Sequence, residues 1–309
     1  MIDSLNLIIK IRYINFEYLK DLGIEIRYFS DFNIKFKYKN IEFKYNTLRH
    51  YLLILANPHK VLNKRDILIS DKEEYKNKIH KIIREVIPTQ KINIEVNRID
   101  YCVDIQVGER IWEYCKILNK HSKEFYYMKQ TNKYATSKYL TNKRGQRHLN
   151  FYNRFAKTLN KEDNGILRLE IQNNPQKIKR EYEKNQIPKT IDYYWSIEAM
   201  EQYYFDVLKS YLFTGDYFKR NLCKKIIDNS NEKSLNKKRL NKFLLMESRY
   251  GIDGIVKNKM FSYDTKRKYI QILNRLNINP ITIPNNFKYD YLENLLKLAK
   301  KTANEKYFK

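Results

Sequence analysis

"NRIDYCVDIQV", residues 97–107, alternates apolar with polar side chains almost without a break. Ile99, Tyr101, Val103, Ile105 and Val107 point one way, and Asp100, Cys102 and Asp104 the other, which is the pattern of a half-buried β-strand. The odd-numbered face requires a core. The even-numbered face carries two carboxylates four residues apart, about 13–14 Å along an extended strand. Either these acids are simply solvated or they are held for chemistry.

The same alternation recurs through the first part of the chain, in "SLNLIIKIRY", "IEIRYF", "FNIKFKYK", "IEFKY", "RHLNFYNR" and "ILRLEIQ". Helical periodicity interrupts it at about 72–86 and 109–120. After "NQIPKTIDYY" the pattern turns helical, in "WSIEAMEQYYFDVLKSYLF", "DYFKRNLCKKIID", "KSLNKKRLNKFLLMESRY", "DTKRKYIQILNRL" and "YDYLENLLKLAKK". The reading is an α+β protein: a largely antiparallel sheet with flanking helices over 1–187, followed by a helical domain over 188–309. No repeat of fixed period is visible. A length of 309 residues accommodates two cores.

Sixty-one Lys and Arg against 35 Asp and Glu give a formal charge of +26, more than solubility requires, and a polyanion such as DNA is the direct explanation. A composition rich in Lys, Asn, Ile and Tyr raises lysine but spares glutamate, so it does not by itself create that imbalance. The longest apolar run, "YLLILA" at 51–56, is far short of the roughly 20 residues of a membrane span. "MIDSLNLIIKIRY" lacks the layout of a signal peptide and reads as a strand. Three cysteines without C-x-x-C spacing indicate neither a disulfide framework nor a zinc site, and fit a cytoplasmic setting. Seven scattered glycines form no phosphate loop.

In "RHLNFYNR" the residues His148, Asn150, Tyr152 and Arg154 share a face, and in "ILRLEIQ" Arg168 and Glu170 do so. If these strands are neighbours of 97–107, one polar surface carries Asp100, Asp104, His148, Tyr152 and Glu170. Carboxylates there would suit a hard divalent cation, and a tyrosine beside it could attack a phosphodiester. The plain alternative is a solvated outer face, which every antiparallel sheet has.

"RIDYCVD", "KYLTNKRGQRHLNFYNR" and "ILRLEIQ", in that order, resemble the motifs of rolling-circle replication initiators of the filamentous-phage gene II/X type, and are similar to those of staphylococcal-type plasmid initiators. "MIDSLNLIIKI" and "YDTKRKYIQILNRLNINPITIP" are also similar to the two ends of phage-type members. The resemblance implies an endonuclease that uses Mg²⁺ or Mn²⁺, binds single- and double-stranded origin DNA, nicks one strand through a tyrosine and leaves a 3′-OH. It also brings a host helicase and polymerase into view as partners. It maps the metal ligands onto Asp100, Asp104 and Glu170, and the nucleophile onto Tyr152, with Tyr139 the rival. Arg154 stands where the motif has Lys. No His-hydrophobe-His pair is present, and His148 is a candidate extra ligand. A conjugative relaxase or transposase would share this chemistry, and a non-catalytic DNA-binding regulator would share only the charge.

Origin recognition is expected in the helical part. "NEKSLNKKRLNKF" gathers Lys233, Lys237, Lys238, Arg239 and Lys242. In "YDTKRKYIQILNRL" a cap at Asp264 or Thr265 would put Lys266, Arg267 and Lys268 into the first turn, opposing the helix dipole unless they face phosphate. The connection "GIDGIVKNKMFSY" is short enough for a helix-turn-helix or winged-helix-like unit.

Overall fold

A computed structural model describes residues 1–88, 92–120, 145–308 and, as backbone, 126–127 and 137–141. Five strands come first: β1 Ile2–Lys10, β2 Ile26–Ser30, β3 Asn33–Tyr38, β4 Ile41–Asn46 and β5 Tyr51–Leu55. Helix α1, Phe16–Asp21, follows β1, and α2, Pro58–Leu62, and α3, Lys72–Val86, follow β5. The central strand β6 runs Ile94–Gln106 and leads into α4, Ile111–Lys120. Next come β7 Tyr126–Tyr127, β8 Ser137–Thr141, β9 Arg147–Asn153, the short α5 Arg154–Thr158, β10 Ile166–Asn173 and α6 Pro175–Asn185.

All ten strands join one sheet in the order β2-β3-β4-β5-β1-β6-β10-β9-β8-β7, with antiparallel pairing throughout. From the central β1/β6 pair the order outward is β1, β5, β4, β3, β2 on one side and β6, β10, β9, β8, β7 on the other. Each half also places a helix after its first strand and another after its last. The sheet is therefore built from two halves of like strand order, a repeat of topology that no sequence period reveals.

One face of this sheet is covered. Tyr101 of β6 donates to the Tyr194 carbonyl at 2.6 Å, Tyr204 donates to the Leu169 carbonyl at 2.9 Å, and Phe151 packs its ring 5.4 Å from that of Tyr211. These contacts come from α7 Ile191–Tyr194, α8 Ile197–Met200 and α9 Asp206–Leu212, with a π-helical stretch Glu201–Phe205 between the last two. On the other half α3 buries Tyr75, Ile79, Ile83 and Val86, a spacing of four, four and three that gives a helix one apolar stripe. Gly165, at φ +71°, opens β10 where a Cβ would stand 2.8 Å from Gly108 Cα, so only glycine lets the two loops approach.

The helical part holds α10 Arg220–Asp228, α11 Ser234–Lys257 with a break at Gly251, and α12 Tyr263–Arg275. Phe243, Phe261 and Tyr269 stack edge to face between them. Two short strands, β11 Tyr217–Phe218 and β12 Tyr291–Leu292, pair beside these helices. Helix α13, Leu295–Thr302, then returns to lie against β6 and α9. The expected α+β class with a helical C-terminal part is what the structure shows. Across the boundary expected at 187/188, Val96 donates to the Lys189 carbonyl at 2.7 Å, and the apolar residues of α7–α9 and α13 pack into the same core as those of the sheet. Among the described residues no helix is long and apolar enough to cross a membrane.

Candidate functional site on the open face of the sheet

Register decides which polar residues meet. β10 pairs with β6 so that Arg168 faces Asp104, Glu170 faces Cys102 and Gln172 faces Asp100. β9 pairs with β10 so that Tyr152 faces Arg168, Asn150 faces Glu170 and His148 faces Gln172. Side chains directly opposite share a face. The three strands thus bring Asp100, Asp104, His148, Tyr152 and Glu170 onto one face, as the alternation implies, but Asp100, Asp104, Tyr152 and Glu170 are buried there rather than solvated. A β-bulge in β1 between Ile2 and Ser4 adds Asp3, which the alternation does not place there.

The acids divide into two sets. Arg168 grips Asp104 with two nitrogens, at 2.6 and 2.8 Å, and reaches Asp3 with a third at 2.8 Å. Arg154 also donates to Asp104, and its Nε lies 3.1 Å from Asp163, which Arg65 holds at 3.1 Å from the other side. Burial alone would raise the Asp104 carboxyl, but Arg168 and then Arg154 hold it below its ordinary value. Asp100 and Glu170 behave oppositely. Burial pushes Asp100 up to about 7 although Arg98 binds both its oxygens, at 2.9 and 2.7 Å. Glu170 is raised by burial and by Asp3, and its partners are neutral amides, Gln172 at 2.6 Å and Asn150 at 3.4 Å.

One carboxylate cluster holding Mg²⁺ or Mn²⁺ does not fit this arrangement. Both oxygens of Asp104 and both of Asp100 are committed to guanidinium groups, because a planar fork matches a carboxylate two bonds at a time. Among the described residues no group of three or more His, Cys, Asp or Glu side chains is placed to hold a metal ion. His148 lies with its Nε2 3.3 Å from Asn174 Nδ2, and burial lowers its pKa.

Tyr152 is only 5% exposed. What covers it is Lys157, whose ammonium sits 3.1 Å from the Tyr152 hydroxyl and 4.2 Å from the ring centroid. Asn153 caps α5 by accepting from the Ala156 amide, and this turn swings Lys157 back over the strand that precedes it. Burial raises the phenol well above its ordinary pKa, with Arg168 opposing. Arg154, which stands at the basic position of the motif, is engaged instead by Asp104 and Asp163. Lys157 and Asp3 are therefore site residues that motif reading missed, and Arg168, which the alternation puts on this face, is given no role by the motifs. Lys157 follows Tyr152 by five, a spacing with no meaning on a strand, and acquires one only because the chain turns helical at Arg154.

Tyr139 has its backbone paired with that of Asn150 in β8, while its side chain, with residues 142–144 of the same motif, lies outside the described residues.

The helical cations also need revision. Ser262, not Asp264 or Thr265, caps α12, accepting from the Thr265 amide at 3.1 Å. The first turn then carries Asp264, and Lys266, Arg267 and Lys268 begin the second, so the dipole is not opposed. Lys266 is largely buried against Asp253 at 3.3 Å, whereas Arg267 and Lys268 are exposed. In α11, Lys237 donates to the Asp228 carbonyl at 2.7 Å, and Lys238, Arg239 and Lys242 are exposed.

No known protein family matches the chain, and no curated protein does. Among solved structures it is similar to a rolling-circle replication initiator protein from Geobacillus stearothermophilus, at 12% identity over 60% of this chain and 79% of that one, with a TM-score of 0.38. It is also similar to Methanococcus jannaschii TBP, at 12% identity over 60% of this chain and 94% of that one, with a TM-score of 0.35. At these values neither likeness assigns a role to any residue.

Proposed function

We propose that this chain is a DNA strand-nicking and -joining enzyme that initiates replication by cutting one strand of an origin through Tyr152. The single observation that carries the reading is the Tyr152–Lys157 pair on the polar face of the sheet, beside the Arg168–Asp104–Arg154 array, in a chain of formal charge +26. In the reaction the Tyr152 oxygen bonds to phosphorus as the bond from phosphorus to the 3′ oxygen breaks. The 5′ phosphate stays on the enzyme, and the departing 3′ oxygen takes a proton from water and is released as a 3′-OH, ready for a polymerase. Lys157 stabilises the phenolate that forms, and Arg168 adds positive charge from the neighbouring strand. Glu170, with its raised pKa, is the group on this face suited to accept the phenolic proton. Lys157 must lift off the ring as DNA enters, which an exposed side chain on a five-residue helix can do.

Reaction with labelled single-stranded origin DNA, followed by digestion, tests this directly. The label should remain on the peptide that carries Tyr152, and Tyr152→Phe should bind DNA but not retain label. Label on the Tyr139 peptide would move the site by one strand. A second reading, a DNA-binding regulator without chemistry, is favoured by the completeness of the Asp104 network, and nicking by the purified chain would eliminate it.

A further inference from the structure

The half of the sheet that lacks the site has an uncovered face of its own. By register Arg27 of β2 faces Lys35 of β3, Lys35 faces Lys44 of β4, Lys44 faces Leu53 of β5, and Leu53 faces Ile8 of β1. Beside this row Lys37 faces Glu42, which faces Leu55. In the row on the other side Asn33, Asn46, Tyr51 and Lys10 follow one another. Three cations directly opposite one another on successive strands repel, and sheets ordinarily avoid this. Two acids offset them: Glu25 holds Arg27 at 3.0 Å, and Glu42 is shared by Lys35 at 3.0 Å and Lys44 at 3.2 Å, which leaves the cations in excess. The neighbouring apolar residues are also out of place: Ile8, Tyr51, Leu53 and Leu55 are partly exposed and do not pack against the core.

We propose that this face is a docking track for a single DNA strand. Lysines in rows about 4.8 Å apart can follow a phosphate backbone, and an adjoining apolar strip with Tyr51 accepts unpaired bases. A duplex offers phosphates but no such bases, so it would leave the strip unmatched. The track is continuous with the site, since β1 and β6 pair and the open faces of Ser4 and Asp100 are opposite. That the strand it holds leads to Tyr152 rests on the nicking reading; that the face binds single strands does not.

The test is fluorescence anisotropy with labelled oligothymidylate of about 30 nucleotides, in a Tyr152→Phe background. Lys35→Ala/Lys37→Ala/Lys44→Ala should weaken binding at least tenfold and flatten the log Kd against log salt slope by about 2, at roughly 0.7 per neutralised phosphate on a single strand. Its melting temperature should not fall, since like charges are being removed. If it does, Lys35→Gln/Lys44→Gln gives the same readout with side-chain bulk kept. Tyr51→Ala should weaken oligothymidylate binding and leave duplex binding unchanged. Unchanged affinity and slope in the lysine variants would overturn the track, and an equal loss on a duplex of the same length would overturn its occupant. Absence of nicking by the parent chain, with the lysine effect intact, would refute the nicking reading and leave the track standing.

Discussion

The ammonium of Lys157 is hydrogen-bonded to the hydroxyl of Tyr152 and lies over its ring. A buried phenol resists ionisation, so a tyrosine here becomes a nucleophile only if a cation accompanies the charge it develops. Lys157 is the cation in contact.

Lys157→Met should leave the fold and DNA affinity nearly unchanged and slow nicking by about 10²-fold, the usual effect of removing one donor from a developing oxyanion. Lys157→Arg should recover part of the rate. Single-turnover cleavage of a labelled strand measures both, and an unaltered rate in the Met variant would remove Lys157 from the site.

Asp104→Ala should act on stability. It leaves Arg168 and Arg154 buried without their shared partner, a change of about 3–5 kcal/mol for a broken buried ion pair. Urea unfolding should show it as a lowered midpoint. Normal stability with a lost divalent-ion dependence of nicking would instead return Asp104 to a metal site.

Arg267 and Lys268 differ from Lys266 in exposure. Arg267→Ala/Lys268→Ala should weaken duplex binding and reduce the salt slope by roughly 0.9 for each phosphate no longer neutralised. Lys266→Ala, which breaks the pair with Asp253, should lower thermal stability and change the slope little. Titrations at three salt concentrations separate the two.

Glu247, in the helical part, is pushed from its ordinary 4.5 up to about 7 by burial, against the opposing effects of Lys120 and the hydrogen bonds from Thr282. The folded state therefore binds this proton more tightly than the unfolded one. Its contribution to stability should fall as pH rises from about 4.5 through 7, by about 3 kcal/mol, and level off above that. Glu247→Gln should abolish this part of the pH profile, read from urea unfolding across the same range.

The alternation in 97–107, 147–154 and 166–172 was enough to define the strands, their apolar faces and the side chains that share the polar one, because a strand's period of two is local and a one-residue slip would turn the carboxylates toward the apolar core. It also implied the α+β class and the helical C-terminal part. Strand order and register are not local. They decide that Arg168 meets Asp104, that Asp100 and Glu170 remain a separate raised pair, and that a bulge turns Asp3 into the same face. The Lys157–Tyr152 contact depends on where β9 stops and α5 begins, and the row Arg27–Lys35–Lys44 exists only because three hairpin strands align in one register. Charge partners are chosen by such alignments, over separations such as the 165 residues between Asp3 and Arg168, and no pattern within a window of sequence contains them.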